Sequence, residues 1–422
     1  MSLGTFAKKW SCIIISNYFL LYSINGFLGM VGLTSIAKLD LLIMLAATVI
    51  TILYLYRQVT TLDAFIIFFI ASIAFSGLLQ NYDKNLWYAG CRGQLYYTVF
   101  FFVGRYSQYW NIRILKKGLY PFLIVCAIGL FLYITSPAWY MNYKLQLWET
   151  SDGISEARIL EMTRLSAFWV YPYTISYGCA ILYTYIIIHT YIRGYMKKSD
   201  TLCLLFLAFI AILTQQRAPL FIIAAITLIY IAIGFFKKKR DGHTSLKLSI
   251  IYFLIASICM FGVFVSFIDI DMLARLLEKI EVLSDASVFL DERANIFSQF
   301  LTKDITLFGD GIGRYSAAAY RMGKNAITDQ QYLLTAYETG YWGCLGYGFI
   351  ILVVIIKGLK SFSVNYFEII IILFFLLAMS GANCLSSFGQ HIAIFWICCG
   401  RIYNGSILHD KRKNLAVVYD RI

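Results

Sequence analysis

Charged residues are scarce in this chain, and their scarcity excludes an ordinary soluble domain. Only 14% of the 422 residues are charged, 60% are apolar and four are prolines. A soluble globular domain uses roughly 25% charged residues. Apolar runs of about 14 to 22 residues follow one another, each bounded by Lys, Arg or loop residues, and a membrane-spanning helix needs about 20. The sequence predicts a polytopic membrane protein.

Other absences narrow the class further. Continuous apolar runs without strand-like alternation favour helices over a β-barrel. Most of the ten cysteines lie within apolar runs and no C-x-x-C pair is present, so they are interpreted as packing residues. We predict no metal and no cofactor. The net charge of +13 sits in short clusters between the runs, which indicates membrane orientation, and no nucleic-acid partner is expected.

The positive clusters alternate along the chain and predict its topology. About twelve spans are expected, with both termini in the cytoplasm and Lys237 to Arg240 as the strongest cytoplasmic marker. The first predicted run covers 11–31 and the ninth covers 248–267, while the second, fifth and tenth begin at Leu39, Gly118 and Tyr341. A short loop is expected around Asp83 and Arg92. The chain is treated as one membrane domain over residues 1–422, with an external loop at 137–166 and a large external loop at 268–340. Leucine spacing after Leu273 and after Leu290 predicts short surface helices in the large loop. Gly309-Asp-Gly-Ile-Gly313 predicts a turn with positive φ and close backbone approach, and the residues from Asp329 onward predict a helix that returns to the membrane.

Arginines collect on the predicted external side. Arg217 precedes Pro219 at the mouth of a span, where a helix N-terminus favours anions; a snorkelling interface arginine is the alternative. A guanidinium matches phosphate oxygens with two parallel hydrogen bonds, so the other arginines of this set are candidates for binding phosphate. The alternative is that each pairs with a neighbouring carboxylate, such as Glu161 beside Arg164. These arginines are Arg164, Arg275, Arg293, Arg314 and Arg321. Asp269-Ile-Asp271 has metal-binding spacing, but a helix cap is favoured. His391 is expected to face outward, too isolated to act as a base.

Five segments in order resemble the bacterial O-antigen polymerase and ligase superfamily. They are Arg164-Leu-Ser-Ala-Phe, Gln216-Arg217-Ala218, Arg293 followed by Leu307-Phe-Gly-Asp-Gly-Ile-Gly313, Thr328-Asp-Gln-Gln-Tyr-Leu, and Glu338-Thr-Gly-Tyr-Trp-Gly343. The second half of the chain carries the resemblance, and the first half shares only the topology. The resemblance implies a GT-C-like, metal-independent glycosyltransferase that uses polyprenyl-diphosphate-linked sugars at the outer face of the bacterial inner membrane.

The resemblance also implies roles and partners. The ligase branch has His-Asn where this chain has Asp329-Gln330, which favours a polymerase, with an O-antigen ligase as the alternative. By position, Arg164, Arg217 and Arg293 match the family's arginines. Catalytic roles are expected for Arg217, Arg293 and Asp329, with Asp310 as another candidate base. Substrate binding is expected for Arg164, Arg275, Arg314, Arg321 and Tyr320.

The expected partners are an undecaprenyl-diphosphate-linked oligosaccharide donor and acceptor and the lipid bilayer, and the resemblance allows for a chain-length regulator. External aromatics are further candidates for stacking on sugars, although interface belts explain most of them; they are Trp139, Tyr140, Trp148, Tyr320, Tyr332 and Trp342. A transporter or flippase is the rival from another class. Transporters place ionisable groups at membrane depth and show paired repeats. A transporter is disfavoured because this sequence has no clear charge in the middle of a predicted span and no convincing internal repeat.

Overall fold

The structure is a computed structural model. It describes residues 39–56, 59–80, 83–106, 115–148, 164–168, 172–241, 304–316, 330–380, 382–385 and 391–404, with isolated positions between 10 and 32 and at 319, 322 and 327. The predicted surface helices after Leu273 and Leu290 and the Asp269 to Asp271 pair therefore lie outside the described residues.

Helices make up nearly all of the described chain, which contains no strand. In chain order they are α1 Leu39–Leu55, α2 Thr61–Leu79, α3 Lys84–Gly90, α4 Val99–Tyr106, α5 Leu115–Thr135, α6 Ala138–Trp148, α7 Pro172–Arg193, α8 Lys198–Leu213, α9 Arg217–Asp241, α10 Gln331–Lys360, α11 Phe362–Ala378 and α12 at 391–404. The prediction of an all-α protein is confirmed for these residues.

Four stretches within the described helices are long and apolar enough to cross a membrane: Thr61–Leu79, Gly118–Thr135, Pro172–Arg193 and Gln331–Lys360. Shorter apolar helices occur at Met44–Leu53, Ala218–Ile231 and Asn365–Ala378. These are the candidate spans of a membrane protein. The predicted ninth run, at 248–267, lies outside the described residues, and so does most of the first, so the number of about twelve spans stays a prediction.

One helix forms the centre of the bundle. In its most apolar stretch α7 buries 83% of its residues, whereas α2 and α10 each bury 33%. The outer helices leave large apolar side chains such as Phe68, Phe75 and Leu345 exposed. An apolar exterior around an apolar centre is what a hydrocarbon environment allows and water does not.

Contacts between helix ends define two opposite ends of the bundle. At one end Arg105 forms an ion pair with Asp63 at the start of α2, and Asn404 at the end of α12 donates to the Arg105 carbonyl. We call this end, which also holds Arg193, Lys360 and Arg401, the basic face. At the other end Gln80, just after α2, donates to the Gly309 carbonyl. We call this end the loop face; it is formed by Gln80, residues 164–168, residues 213–217, Gly309–Gly313 and Gln331.

The structure has helices in two segments that the sequence predicts as loops. The loop expected around Asp83 and Arg92 is helical, because Asp83 caps α3 by accepting from the Asn85 N–H. The chain then passes through a π turn at Cys91–Leu95 and a 3-10 turn at Tyr96–Thr98 into α4. The segment expected as an external loop at 137–166 begins with helix α6, and its residues 149–163 lie outside the described residues.

Candidate active site

The glycine-rich turn has the predicted conformation. Gly309, Gly311 and Gly313 have φ values of 71°, 109° and 89°. A side chain on Gly313 would also meet the Leu86 carbonyl oxygen, 2.1 Å from an ideal Cβ. Glycine is therefore required here both by backbone conformation and by close approach.

This turn lies against the start of α10. Asp310 N donates to the Tyr337 carbonyl at 2.7 Å, and Gly311 N donates to the Glu338 carbonyl at 3.1 Å. In the opposite direction, α10 donates to the residues just before the turn, since Trp342 N donates to the Leu307 carbonyl at 2.9 Å. The two segments Leu307–Gly313 and Glu338–Gly343, separate in the sequence, thus form one unit.

A break in α10 makes this contact possible. Gly340 has φ 66° and ψ −165°, so the residues from Gln331 to Thr339 form a short helix before the apolar stretch that begins at Tyr341. The Thr306 carbonyl oxygen lies 2.4 Å from the position of a Cβ on Gly340. The predicted helix after Asp329 is confirmed, beginning at Gln331, and the predicted start of the span at Tyr341 coincides with the break.

The carboxylate of Glu338 lies at the centre of the unit. Its residue is 1% exposed, and it accepts from Gln94 Nε2 at 2.5 Å and from Tyr315 N at 2.8 Å. No described residue forms an ion pair with it. A buried carboxylate needs hydrogen bonds to offset desolvation, and here an amide and backbone N–H groups supply them. Gln94 belongs to the π turn, an irregularity that often occurs at functional sites.

Charged side chains project from the same turn. Asp310 is half-buried, and its Oδ2 accepts from the Tyr315 hydroxyl at 2.5 Å. Arg314 is exposed and donates to the Asp310 carbonyl at 3.3 Å. The turn therefore presents a carboxylate and a guanidinium at the loop face, and a tyrosine hydroxyl orients the carboxylate.

The predicted arginine segment Arg164 to Phe168 lies elsewhere on the loop face, at the end of α8. Leu165 N donates to the Leu213 carbonyl at 3.2 Å. The half-buried Arg164 accepts at its carbonyl from Lys144 Nζ at 3.1 Å. Lys144 is 5% exposed, and burial lowers its pKa to about 8. A second cation thus lies beside Arg164.

Helix α9 begins at Arg217. Only Thr214, Gln215 and Gln216 separate it from Leu213, whose carbonyl holds Leu165, so the Arg164 and Arg217 backbones lie at the same end of the bundle. The side chain of Arg217 is outside the described part, as are Arg275, Arg293, Arg321, Tyr320 and Asp329.

The side of the membrane expected for His391 stays a prediction, but its side chain is buried. It lies at the start of α12 but is 1% exposed, with its ring stacked on Tyr177 at 4.9 Å between centroids. Among the aromatics, Trp139 and Tyr332 are exposed, whereas Tyr140 is buried with its hydroxyl donating to the Ala167 carbonyl. Trp342 packs on Phe68 and donates to Ser72 Oγ. Cys126, Cys179, Cys398 and Cys399 are buried, as packing residues would be.

Sequence reasoning assigned no role to Glu338, Gln94 or Lys144. One signal for Glu338 was present. It is the only acidic residue in the segment 331–360, which continues into a long apolar run, and ionisable residues within membrane spans are commonly functional. Gln94 and Lys144 had no such signal, because their partners are distant in sequence.

Comparisons with known proteins add no family. No family model matches the chain. No curated protein shows significant similarity to it.

Proposed function

We propose that this protein is a membrane glycosyltransferase that polymerises polyprenyl-diphosphate-linked oligosaccharide repeat units, at the periplasmic face of a bacterial inner membrane. The observation that carries the proposal is the contact between Leu307–Gly313 and Glu338–Gly343. Both segments were singled out by the resemblance to the O-antigen polymerases. They meet at the end of the bundle where Arg164 and the start of α9 also lie.

The proposed reaction follows from the chemistry of the donor substrate, a glycan linked to polyprenyl diphosphate. An acceptor sugar hydroxyl forms a bond from its oxygen to the anomeric carbon of the donor glycan. The bond from that carbon to the diphosphate oxygen breaks, and the diphosphate leaves with the electron pair. Arg164, Arg217 and Arg293 stabilise the charge that builds on the diphosphate, without a metal. The hydroxyl proton passes to a carboxylate, either Asp310 or Asp329.

Asp310 and Arg314 support this role by their position. Both stand on a turn fixed by backbone hydrogen bonds to α10, and Asp310 is oriented by Tyr315. Rigid placement of reacting groups is a main source of rate enhancement. We assign Arg275, Arg321 and Tyr320 to substrate binding by the same resemblance. The proposal also includes a twelve-span, GT-C-like topology with the loop face on the periplasmic side of the membrane.

Deletion of the gene tests the reaction class. Cells without the protein are expected to transfer single repeat units to their final acceptor while losing long chains, because polymerisation and ligation are then separate steps. The length distribution of the surface glycan on gels measures this. Accumulation of long polymer on polyprenyl diphosphate, with no glycan on the final acceptor, would instead establish the ligase alternative.

A further inference from the structure

We propose that Glu338 is a positioning residue that fixes Asp310 to receive the proton of the acceptor hydroxyl, and that Glu338 itself transfers no proton. This inference rests on the proposed function. It assigns a role to a residue that the resemblance leaves without one, and it selects Asp310 as the proton acceptor.

Glu338 holds the turn at both ends of the segment between Asp310 and Tyr315. Its backbone carbonyl accepts from Gly311 N at 3.1 Å, one residue after Asp310. Its side-chain Oε1 accepts from Tyr315 N at 2.8 Å. The Tyr315 hydroxyl then donates to Asp310 Oδ2 at 2.5 Å. One buried carboxylate therefore fixes the residue that orients the Asp310 carboxylate.

Access separates the two carboxylates. Glu338 is 1% exposed and its two oxygens face Tyr315 and the π turn, so a sugar hydroxyl has no approach to it. Asp310 is half-buried at the surface of the loop face. A group that takes a proton must come within about 3 Å of the oxygen that releases it. Asp310 is open to such an approach and Glu338 is not.

The hydrogen-bond pattern around Glu338 predicts which substitution it tolerates. In Glu338→Gln, Oε1 still accepts from Tyr315 N. The new amide N–H can donate to the Gln94 oxygen once the Gln94 amide rotates by 180°, since either amide group fits the same space. Glu338→Ala leaves the buried Gln94 amide and the Tyr315 N–H without that partner. Shape and donor pattern are kept in the first variant and lost in the second.

The test combines amide hydrogen exchange with polymerisation of lipid-linked repeat units, both on the purified full-length protein in lipid nanodiscs. Exchange is followed in peptides that span residues 304–316. Glu338→Ala is expected to speed exchange there and to lower the polymerisation rate by about 10- to 100-fold. Glu338→Gln is expected to restore slow exchange and most of the rate. Cys344→Ala, an exposed position on the same helix, is the control for substitution in α10.

Asp310→Asn identifies the group through which Glu338 acts. This variant is expected to lose activity with slow exchange preserved, because an amide oxygen still accepts from Tyr315. Adding Glu338→Ala to Asp310→Asn is expected to speed exchange without a further loss of rate, since a positioning effect on an absent base is silent.

Three outcomes would overturn the proposal. Unchanged exchange of residues 304–316 in Glu338→Ala would show that the Glu338 side chain does not hold the turn. Loss of activity in Glu338→Gln with slow exchange gives Glu338 itself a role in proton transfer. Additive losses in the double variant separate Glu338 from Asp310. A wild-type protein that fails to extend lipid-linked repeat units would refute the proposed function instead, while the exchange experiment would still decide whether Glu338 holds the turn.

Discussion

The two ends of the bundle treat charge differently. At the basic face, guanidinium groups are matched with carboxylates: Arg105 with Asp63, Arg193 with Asp200 and Arg401 with Glu368. At the loop face, Glu338 and Arg314 have neutral hydrogen-bond partners. Glu338 accepts from an amide and a backbone N–H, and Arg314 donates to a backbone carbonyl.

We interpret this difference as one between charge that holds helices together and charge that is available to a ligand. Charges matched to each other stabilise contacts between helices and leave little field for a ligand. Charges fixed by backbone groups keep their field available to a substrate. Substitutions at matched positions of the two faces test this difference.

The largest effect is expected at the basic face, on stability. Asp63 and Arg105 are 0% and 2% exposed, and Asp63 also caps α2 through the Thr60 N–H. Asp63→Ala is expected to destabilise the protein by about 3 to 5 kcal/mol, because it removes the buried charge facing Arg105. Asp200→Ala breaks a partly exposed pair and is expected to cost about 1 kcal/mol or less. Thermal unfolding in detergent measures both, and equal costs would contradict the role of burial.

The next effect falls on activity at the loop face. Arg217→Ala and Arg293→Ala are each expected to slow polymerisation by about 10²- to 10³-fold, equivalent to about 3 to 4 kcal/mol of transition-state stabilisation. Lys replacements are expected to restore only part of the rate because the forked geometry is lost. Protein level and membrane insertion should remain normal.

The matched control for these arginines is Arg193→Ala at the basic face, which is expected to leave polymer formation intact. Near-normal glycan length in both Arg217→Ala and Arg293→Ala would refute the arginine model. Loss of polymer in Arg193→Ala would show that the difference between the faces is not functional.

A smaller effect separates two glycines with similar positive φ angles. Gly313 at the loop face has φ +89° and meets Leu86 and Gly90, whereas Gly194 at the basic face has φ +81° and has no neighbouring atom within 4 Å of the place that a Cβ would take. Gly194→Ala carries only the cost of positive φ, about 1 kcal/mol. Gly313→Ala adds overpacking and is expected to cost about 2 to 3 kcal/mol. Equal melting temperatures for the two variants would contradict the close packing of the Gly309–Gly313 turn against Leu86 and Gly90.

Local patterns predicted the helices and the turn, because a helix and a glycine-rich turn are determined by residues close in sequence. The predicted runs beginning at Leu39 and at Gly118 match α1 and α5 closely. The contact between the turn and α10 was not predictable, since hydrogen bonds such as Gln94 to Glu338 join residues 244 apart. Burial of His391 also depends on such distant packing. The α3 helix was missed because Asp83, a cap, looked like a loop residue.

One reconstitution tests the central claim most directly. The purified protein in nanodiscs is supplied with the lipid-linked repeat unit extracted from its own cells, in the presence of EDTA. A ladder of longer lipid-linked glycans with matching release of polyprenyl diphosphate is the predicted result. If the repeat unit stays unextended, or is extended only after a divalent metal is restored, the account of a metal-independent polymerase at the loop face is contradicted.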